Sequence, residues 1–397
     1  MKKTQWVRKR HYFYMYLFKG IVRLVMKLTY GIKAYKFKLA KNENALILSN
    51  HQTDFDPVIV GLSINKPVYH VATDSLFSSK FASNFLGHCF APIPKKKGFS
   101  DPRCIKTILK VAKEKGTICI FAEGNRSYAE FQYHIDDSLA RLVKALKIPL
   151  IIYNIKGGNG VSPRFALKKR KGKFTGQVVK KIEAEEYLKM SDEELMTLIK
   201  ETIKVFDSDS KELYKSNKRA ECLERMLFVC PCCHKVNTIY SKNEFVYCSN
   251  CNLKVEYTED LHLKSVNESC KYSRLVEWYD FQKDWCRNAT FKDDEIIFED
   301  EIKLFESIVN QSRKLLFDGK MQLTNKELRF GGKIVILLEN LEIASPISGR
   351  KFNFSTLENN YLVVGNERFN PLKYVLMFNR LDTLMHTKHI DKYFELD

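Results

Sequence analysis

Residues 1–40 contain no aspartate or glutamate, and nowhere in them is there an uncharged apolar run of about 20 residues, the length a helix needs to cross a bilayer. The most apolar stretch, Tyr12–Tyr30 (YFYMYLFKGIVRLVMKLTY), is interrupted by Lys19, Arg23 and Lys27. Three cations near its middle make spanning costly and exclude a signal-peptide reading of the same residues. Without a secretory segment the eleven cysteines are not read as a disulfide framework, and a reducing cytosol is the expectation. No internal repeat is present. The chain also lacks the poverty in aromatics that marks disorder: it has 27 Phe and 19 Tyr, with 45% hydrophobic and 28% charged residues, a globular composition.

What is there is positive charge. The formal net charge of 397 residues is +19, which favours an anionic partner, either nucleic acid or a membrane surface. Eleven Lys/Arg lie in residues 1–40, making this segment a basic arm. On a helix over Tyr12–Tyr30, Lys19, Arg23 and Lys27 recur at i, i+4 and i+8, giving one thin basic stripe beside a broad apolar face. The expectation is a helix lying in the membrane interface, its Tyr and Phe at headgroup depth and its Lys/Arg toward anionic lipid. The alternative is an amphipathic helix packed on its own domain.

The length predicts two or three domains. Residues 41–215 read as an α/β domain: short β-rich runs at Ala45–Ser49, Pro67–Ala72, Thr117–Phe121 and Pro149–Tyr153 alternate with helical stretches such as Ile105–Lys115 and Ile135–Lys147. Lys168–Lys173 (KKRKGK) reads as a solvated loop, and Ser191–Glu194 opens a helix with a capping box. A compact cysteine-rich segment follows within residues 222–262, then a Trp/Tyr-rich helical linker over 263–289 around Tyr272–Cys286. Residues 290–397 change to short strands, Leu315–Asp318, Met321–Leu323, Leu328–Phe330, Ile334–Leu338, Leu341–Ala344, Phe352–Ser355 and Tyr361–Val364. A helix over Pro371–Leu384 ends the chain, so this part reads as a small barrel or sandwich.

Two blocks carry chemistry. Asn50-His51-Gln52-Thr53-Asp54-Phe55-Asp56-Pro57 follows the apolar strand Ala45–Ser49, and a histidine at the carboxyl end of a strand stands where α/β folds gather their sites. Asp56, a turn later, can reach the ring, giving a base and its orienter; a loop histidine is the plain alternative. Phe121-Ala122-Glu123-Gly124-Asn125-Arg126-Ser127 follows a second apolar strand, so both blocks emerge at one sheet edge. Glu123 can accept from hydroxyls, Gly124 permits close backbone approach and Arg126 can fork onto phosphate; a salt-bridged turn is the alternative. Between them the basic loop that begins at Lys95 and continues through Lys96 and Lys97 can also hold phosphate.

In order and spacing, Asn50–Pro57, Lys95 after Gly87–Pro94, Phe121–Ser127 and Ile148-Pro149-Leu150-Ile151 resemble the four blocks of the glycerolipid acyltransferases, in particular those acting on 1-acylglycerol 3-phosphate. The likeness covers roughly residues 1–215 and includes a basic, aromatic N-terminal segment like the family's membrane-docking helices. It implies an enzyme moving a fatty acyl group from acyl carrier protein or acyl-CoA to the free hydroxyl of a lysophospholipid in phospholipid biosynthesis. It also implies His51 as general base, Asp56 as its orienter, and Glu123, Gly124, Arg126 and Lys95 binding the acceptor's glycerol phosphate. Localisation at the cytoplasmic face of the membrane follows from the same likeness. The chain departs from the pattern at Ala122, Asn125 and Lys95, where the family usually has Pro, Thr and Arg. These positions bear on the acceptor, so glycerol 3-phosphate, another lysolipid or an amine stays open.

A second, independent signal is Cys230-Pro231-Cys232-Cys233, fourteen residues, then Cys248-Ser249-Asn250-Cys251. Two CxxC knuckles at this distance have zinc-ribbon spacing, with Cys230, Cys233, Cys248 and Cys251 closing a structural Zn2+ shell and Cys232 left over. The ribbon is not strongly basic and no aromatic RNA-binding motif appears, which disfavours nucleic acid. By pattern, the final β domain resembles the pleckstrin-homology or GRAM class. The expected whole is an α/β acyltransferase domain with N-terminal interfacial helices, a zinc ribbon and a mostly-β barrel-like domain; a non-catalytic membrane scaffold is the competing reading.

Overall fold

Apolar runs too short and too β-branched for helices build the first sheet, and alternation along them decides which face each residue meets. The computed structural model describes residues 5–73, 80–95, 101–128, 130–267, 270–306 and 313–385. Lys2 and Lys3 of the basic arm, and Lys96 and Lys97 of the basic loop, lie outside them. The chain divides into two compact units: Met1–Ser127, Gln132–Val161 and Lys171–Glu212 form the first, and Tyr128–Phe131, Ser162–Arg170 and Leu213–Asp397 the second.

In the first unit the order is α1 (Lys9–Tyr30), β1 (Ile32–Ala34), β2 (Leu46–Ser49), α2 (Asp56–Ser63), β3 (Val68–Thr73), α3 (Lys80–Cys89), β4 (Ile93–Lys95), α4 (Pro102–Lys113), β5 (Thr117–Phe121), α5 (Ser138–Leu146), β6 (Leu150–Lys156), the one-turn α6 (Gly158–Val161), β7 (Phe174–Ile182), the one-turn α7 (Ala184–Tyr187) and α8 (Asp192–Ile203). The sheet runs β1-β7-β6-β2-β5-β3-β4. Strands β6, β2, β5, β3 and β4 are mutually parallel, and β7 is antiparallel to β6. The carboxyl ends of β2 and β5 are therefore neighbours, with Ser49 opposite Phe121.

Both faces of the sheet are covered. Leu46, Leu48, Leu150 and Ile152 join Cys104, Ile108 and Val111 of α4, Leu139 and Val143 of α5 and Leu195 and Ile199 of α8 in one buried cluster. The alternate residue Tyr153 points the other way, where its hydroxyl meets Ser63 Oγ at 2.6 Å and the Ile59 carbonyl at 3.4 Å on α2. Helix starts follow local chemistry. Asp101 caps α4 by accepting from the amides of Arg103 and Cys104 at 3.1 Å, and Ser191 with Glu194 forms the expected capping box of α8.

Helix α1 departs from expectation in its orientation. Phe13, Tyr16, Leu17, Ile21, Leu24 and Leu28 are exposed, Leu28 to 74%. Two of the three stripe cations turn inward: Lys19 Nζ donates to the Ile64 carbonyl, and Arg23 donates to the carbonyls of Ala34, at 2.8 Å, and of Leu62. Carbonyls at the end of α2 lack helical partners and take these donors in place of lipid or water. Among the described residues no helix is long and apolar enough to cross a membrane.

The second unit begins with a four-stranded antiparallel sheet, β11-β10-β9-β8, made of β8 (Ile239–Lys242), β9 (Phe245–Cys248), β10 (Lys254–Tyr257) and β11 (Leu263–Ser265). Helix α9 (Leu275–Asn288) follows. Then come β12 (Phe298–Glu306), β13 (Lys314–Leu323), β14 (Glu327–Phe330), β15 (Ile334–Leu337), β16 (Ile343–Ser348), β17 (Lys351–Ser355) and β18 (Asn360–Gly365), and finally α10 (Pro371–Met385). Their sheet runs β15-β14-β13-β12-β18-β17-β16, two meanders joined because the first strand pairs with the last. Strand β12 was not expected, and Leu315–Asp318 and Met321–Leu323 are one strand carried across Gly319.

Buried polar bridges make this unit one body. Gln282 of α9 accepts from the amides of Phe228 and Val229 at 2.6 and 3.1 Å and donates to Met226. Lys373 of α10 reaches Asn237 at 2.8 Å and Asp300 at 2.6 Å. Arg170 is buried, which corrects the solvated-loop expectation for the middle of Lys168–Lys173: its guanidinium lies over the rings of Phe165 and Tyr257 and donates to Arg219.

Candidate active site and thiol cluster

Strand β2 delivers His51 just past its carboxyl end, and the loop from Gln52 to Phe55 turns so that Asp56 opens α2. The Asp56 carboxylate is wholly buried and saturated with donors. Its Oδ2 lies 2.8 Å from His51 Nδ1 and accepts from the amides of Gln52 and Thr53 at 2.6 and 2.9 Å, while Oδ1 accepts from Thr53 Oγ1 at 2.6 Å. An acceptor opposite Nδ1 fixes the tautomer that carries its proton there, so the Nε2 lone pair is the one presented for chemistry. The ring is partly exposed and stacks on Phe121 with centroids 4.2 Å apart. Phe121 also stacks with His70 at 6.1 Å, and burial holds His70 down at about 4, so it stays neutral.

The second block meets the first through the main chain. Ala122 donates to the Ser49 carbonyl at 3.1 Å and Ser127 to the His51 carbonyl at 2.9 Å. Gly124 takes a left-handed φ of 63°, which a β-carbon would strain. Glu123 is only 4% exposed. One of its oxygens accepts from Tyr133 N at 3.2 Å and the other from His51 N at 3.4 Å. The residue read as a receiver of substrate hydroxyls is thus placed as a brace under the His51 loop, and burial pushes its carboxyl up to about 8. Arg126 pairs with the exposed Asp54 at 2.6 Å. Lys95 ends the edge strand β4, and among the described residues no hydrogen bond links it to His51, Glu123 or Arg126.

A third strand end closes the arrangement, one the sequence did not reveal. After β6 the amides of Gly157 and Asn159 donate to Asp207 at 2.7 and 3.1 Å, and Gly158 donates to Gln52 Oε1 at 2.9 Å. A β-carbon on Gly158 would lie 2.5 Å from that oxygen, so only glycine fits. Burial raises the Asp207 carboxyl to about 6. Nothing near Asp207 in sequence marks it; the link to Gln52 exists only in the fold.

In the second unit the sulfurs of Cys230, Cys233, Cys248 and Cys251 lie within 4.8 Å of one another. The pairs Cys230–Cys251 and Cys233–Cys248 are 3.6 and 3.7 Å apart. These are not disulfide distances, which are about 2.05 Å. They match the edge of a tetrahedron around an ion with metal–sulfur bonds of about 2.3 Å, roughly 3.8 Å, so the donor set fits a thiophilic divalent ion. The Asn250 amide donates to Cys248 Sγ at 3.3 Å, as knuckle amides do for thiolates. Cys232 is exposed and outside the cluster, and the ring of His234 lies against that of Phe281.

Residues 31–156 match the family model described as Acyltransferase, a span running from just before β1 to the end of β6 that carries both blocks. No curated protein matches the chain. Among solved structures it is similar to the 1-acyl-sn-glycerophosphate (LPA) acyltransferase PlsC from Thermotoga maritima, at 16% identity over 50% of this chain and 81% of that one, with a TM-score of 0.39.

The state of Glu123 has a measurable consequence. Burial raises its carboxyl from 4.5 to about 8, so the folded chain binds that proton more tightly than the unfolded one. Its contribution is intact below about pH 4.5 and is lost as pH rises toward about 8. Glu123→Gln, which cannot ionise, should therefore gain thermal stability relative to wild type as pH is raised from about 5 to about 9, by several degrees in Tm. A difference that stays constant across this series would contradict the buried, protonated brace.

Proposed function

We propose that this protein is an acyltransferase that carries a fatty acyl group from an acyl thioester, on acyl carrier protein or coenzyme A, to the free hydroxyl of 1-acylglycerol 3-phosphate or a related lysophospholipid. The observation that carries the reading is the His51–Asp56 pair at 2.8 Å, in the segment that matches the Acyltransferase model. The acceptor oxygen attacks the thioester carbonyl carbon while its proton passes to His51 Nε2. Asp56 holds the imidazolium, and the collapsing adduct expels the thiolate, which takes the proton back. No covalent enzyme intermediate is needed. Arg126 receives the acceptor phosphate in exchange for Asp54, and Lys95 adds charge from the edge of the sheet. Glu123 and Gly124 shape the turn that supports this site.

His51→Ala should lower turnover by about 10²–10⁴-fold, the usual worth of a general base, with the fold and metal content retained. Lipid mass spectrometry after incubation with each thioester donor and a panel of lysolipids, glycerol 3-phosphate and amines reads both the loss and the acceptor. Activity within a few-fold of wild type would remove His51 from the mechanism.

We assign the thiol cluster to structural Zn2+. Four thiolates close its shell and leave no position for substrate. Purified, reduced protein should carry about one zinc per chain, and Cys248→Ser should lose it together with several degrees of Tm; protein prepared fresh and found zinc-free by metal analysis would refute the assignment. The joined meanders ending in α10 support a pleckstrin-homology or GRAM-like role for the last domain.

We place the protein on the cytoplasmic face of the membrane as a peripheral protein, docked by the apolar face of α1. Charge complementarity favours an anionic lipid surface, since residues 1–40 carry eleven cations and no acid. Binding should survive high salt in large part, because apolar burial is not screened. Replacing Leu17, Ile21, Leu24 and Leu28 by Ser should leave the protein in the supernatant when phosphatidylglycerol-containing vesicles are pelleted. Equal pelleting of this variant and wild type would exclude the α1 face as the docking surface.

A further inference from the structure

Helix α2 is a poor helix by itself. Its eight residues, Asp56–Ser63 (DPVIVGLS), include β-branched and glycine positions, its N-cap Phe55 makes no side-chain capping bond, and no cation lies in its last turn. A helix this short is unstable without outside support, yet its first residue is the carboxylate that orients His51. The missing support comes from α1. At the far end of α2, Arg23 and Lys19 donate to the carbonyls of Leu62 and Ile64, the orphan acceptors of a helix terminus, which also favour positive charge. Arg23 binds at the same time to Ala34 of β1 at 2.8 Å, so its guanidinium ties α2 to the sheet. At the near end, Tyr30, the last residue of α1, lies against the ring of Phe55 with centroids 4.6 Å apart. Phe55 is the residue immediately before Asp56, and its amide bonds Thr53 Oγ1 at 3.2 Å, the same hydroxyl that donates to Asp56.

We infer that Lys19, Arg23 and Tyr30 are positioning residues for the His51–Asp56 pair, so that α1 works in two directions: its outward apolar face serves docking, and its inward face fixes the helix that carries the catalytic carboxylate. The inference rests on the acyltransferase reading for its kinetic consequence but not for its structural one. It separates two roles that a single membrane-anchor view would merge, since the inward residues should matter even when no membrane is present.

The test uses the full-length protein, a short-chain lysolipid acceptor kept below its micelle concentration, and no vesicles. Lys19→Met/Arg23→Met and Tyr30→Ala should each lower kcat by about ten- to a hundred-fold, the range for a catalytic group displaced by a fraction of an ångström to 1 Å, with KM for donor and acceptor little changed. Tyr30→Phe, which keeps the ring, should retain wild-type kcat. Lys36→Met, which removes an exposed cation of the same segment, should do so too. Hydrogen–deuterium exchange supplies a readout independent of turnover: the amides of Gln52 and Thr53, both bonded to Asp56, should exchange faster in the two disruptive variants. If wild type transfers no acyl group to any acceptor, the functional reading fails, while exchange still decides the clamp. Should the double variant not fold, Tyr30→Ala alone decides. Wild-type kcat in Tyr30→Ala with unchanged exchange at Gln52 and Thr53 would overturn the inference.

Discussion

Four donors converge on the carboxylate of Asp56, and most of the first unit's architecture is arranged to bring them there. A buried carboxylate deprived of water is costly unless its oxygens are satisfied. His51 Nδ1, the amides of Gln52 and Thr53 and the Thr53 hydroxyl do this together. Satisfying them fixes the backbone from residue 51 to 56, and that geometry leaves little choice of direction for the imidazole. The carboxylate also stands in the first turn of α2, where exposed amides favour negative charge. The loop is then braced from two neighbouring strand ends. Glu123 after β5 receives the His51 amide, and Gln52 receives the Gly158 amide after β6. The His51 ring is thus held by Asp56 and Phe121 on a backbone that is itself tied to both neighbouring strand ends.

Those parts of the site that are local in sequence were readable in advance. His51 and Asp56 lie a turn apart after an apolar strand, Glu123–Ser127 follows a second such strand, and each pair of cysteines is a three-residue step. Parallel pairing of β2 with β5 was all that was needed to bring the two blocks together. What could not be read depends on burial or on distant chain. Glu123 has the composition of a substrate contact, and only its enclosure between two amides turns it into a brace. Asp207 and Gly158 meet Gln52 across a separation that no spacing rule covers. Strand β12 escaped because FEDEIKLFE alternates its buried Phe298, Ile302 and Leu304 with charge, so its mean polarity resembles a loop. Leu315–Asp318 and Met321–Leu323 read as two strands although β13 passes unbroken through Gly319 between them.

The orientation of α1 shows how an amphipathic pattern can be read correctly in period and wrongly in direction. The stripe of cations and the broad apolar face are both present, but two of the three cations, Lys19 and Arg23, face the protein. A pattern of polarity does not say which environment supplies the better partners. Here the end of α2 offers carbonyls that would otherwise be unsatisfied, and a guanidinium can bind two of them at once. The apolar residues are then left outside, where exposure to water is unfavourable for an apolar patch this large. Such an arrangement is stable for a helix that meets a lipid surface, and it removes Lys19 and Arg23 from the charge available to that surface. Under the proposed docking, affinity rests mainly on apolar area, with the remaining cations of the segment adding attraction.

In the second unit the same logic of mutual support applies to the thiol cluster. A ribbon of four short strands buries too little apolar surface to hold its knuckles in register unaided, and a metal bound by four thiolates supplies folding energy directly. Yet the first knuckle is also fastened from outside the ribbon. Phe228 and Val229, just before Cys230, both donate to Gln282 of α9, and Trp278 of that helix donates to the Val229 carbonyl at 2.9 Å. Asn237, just after the knuckle, accepts from Lys373 of α10. The backbone on either side of Cys230 and Cys233 is therefore positioned by helices α9 and α10, so packing already draws the four sulfurs together for the proposed ion. Pre-positioning lowers the entropy lost on closing the shell, and the dependence runs both ways: an ion that fixes Cys230 also fixes the two amides on which the buried Gln282 relies.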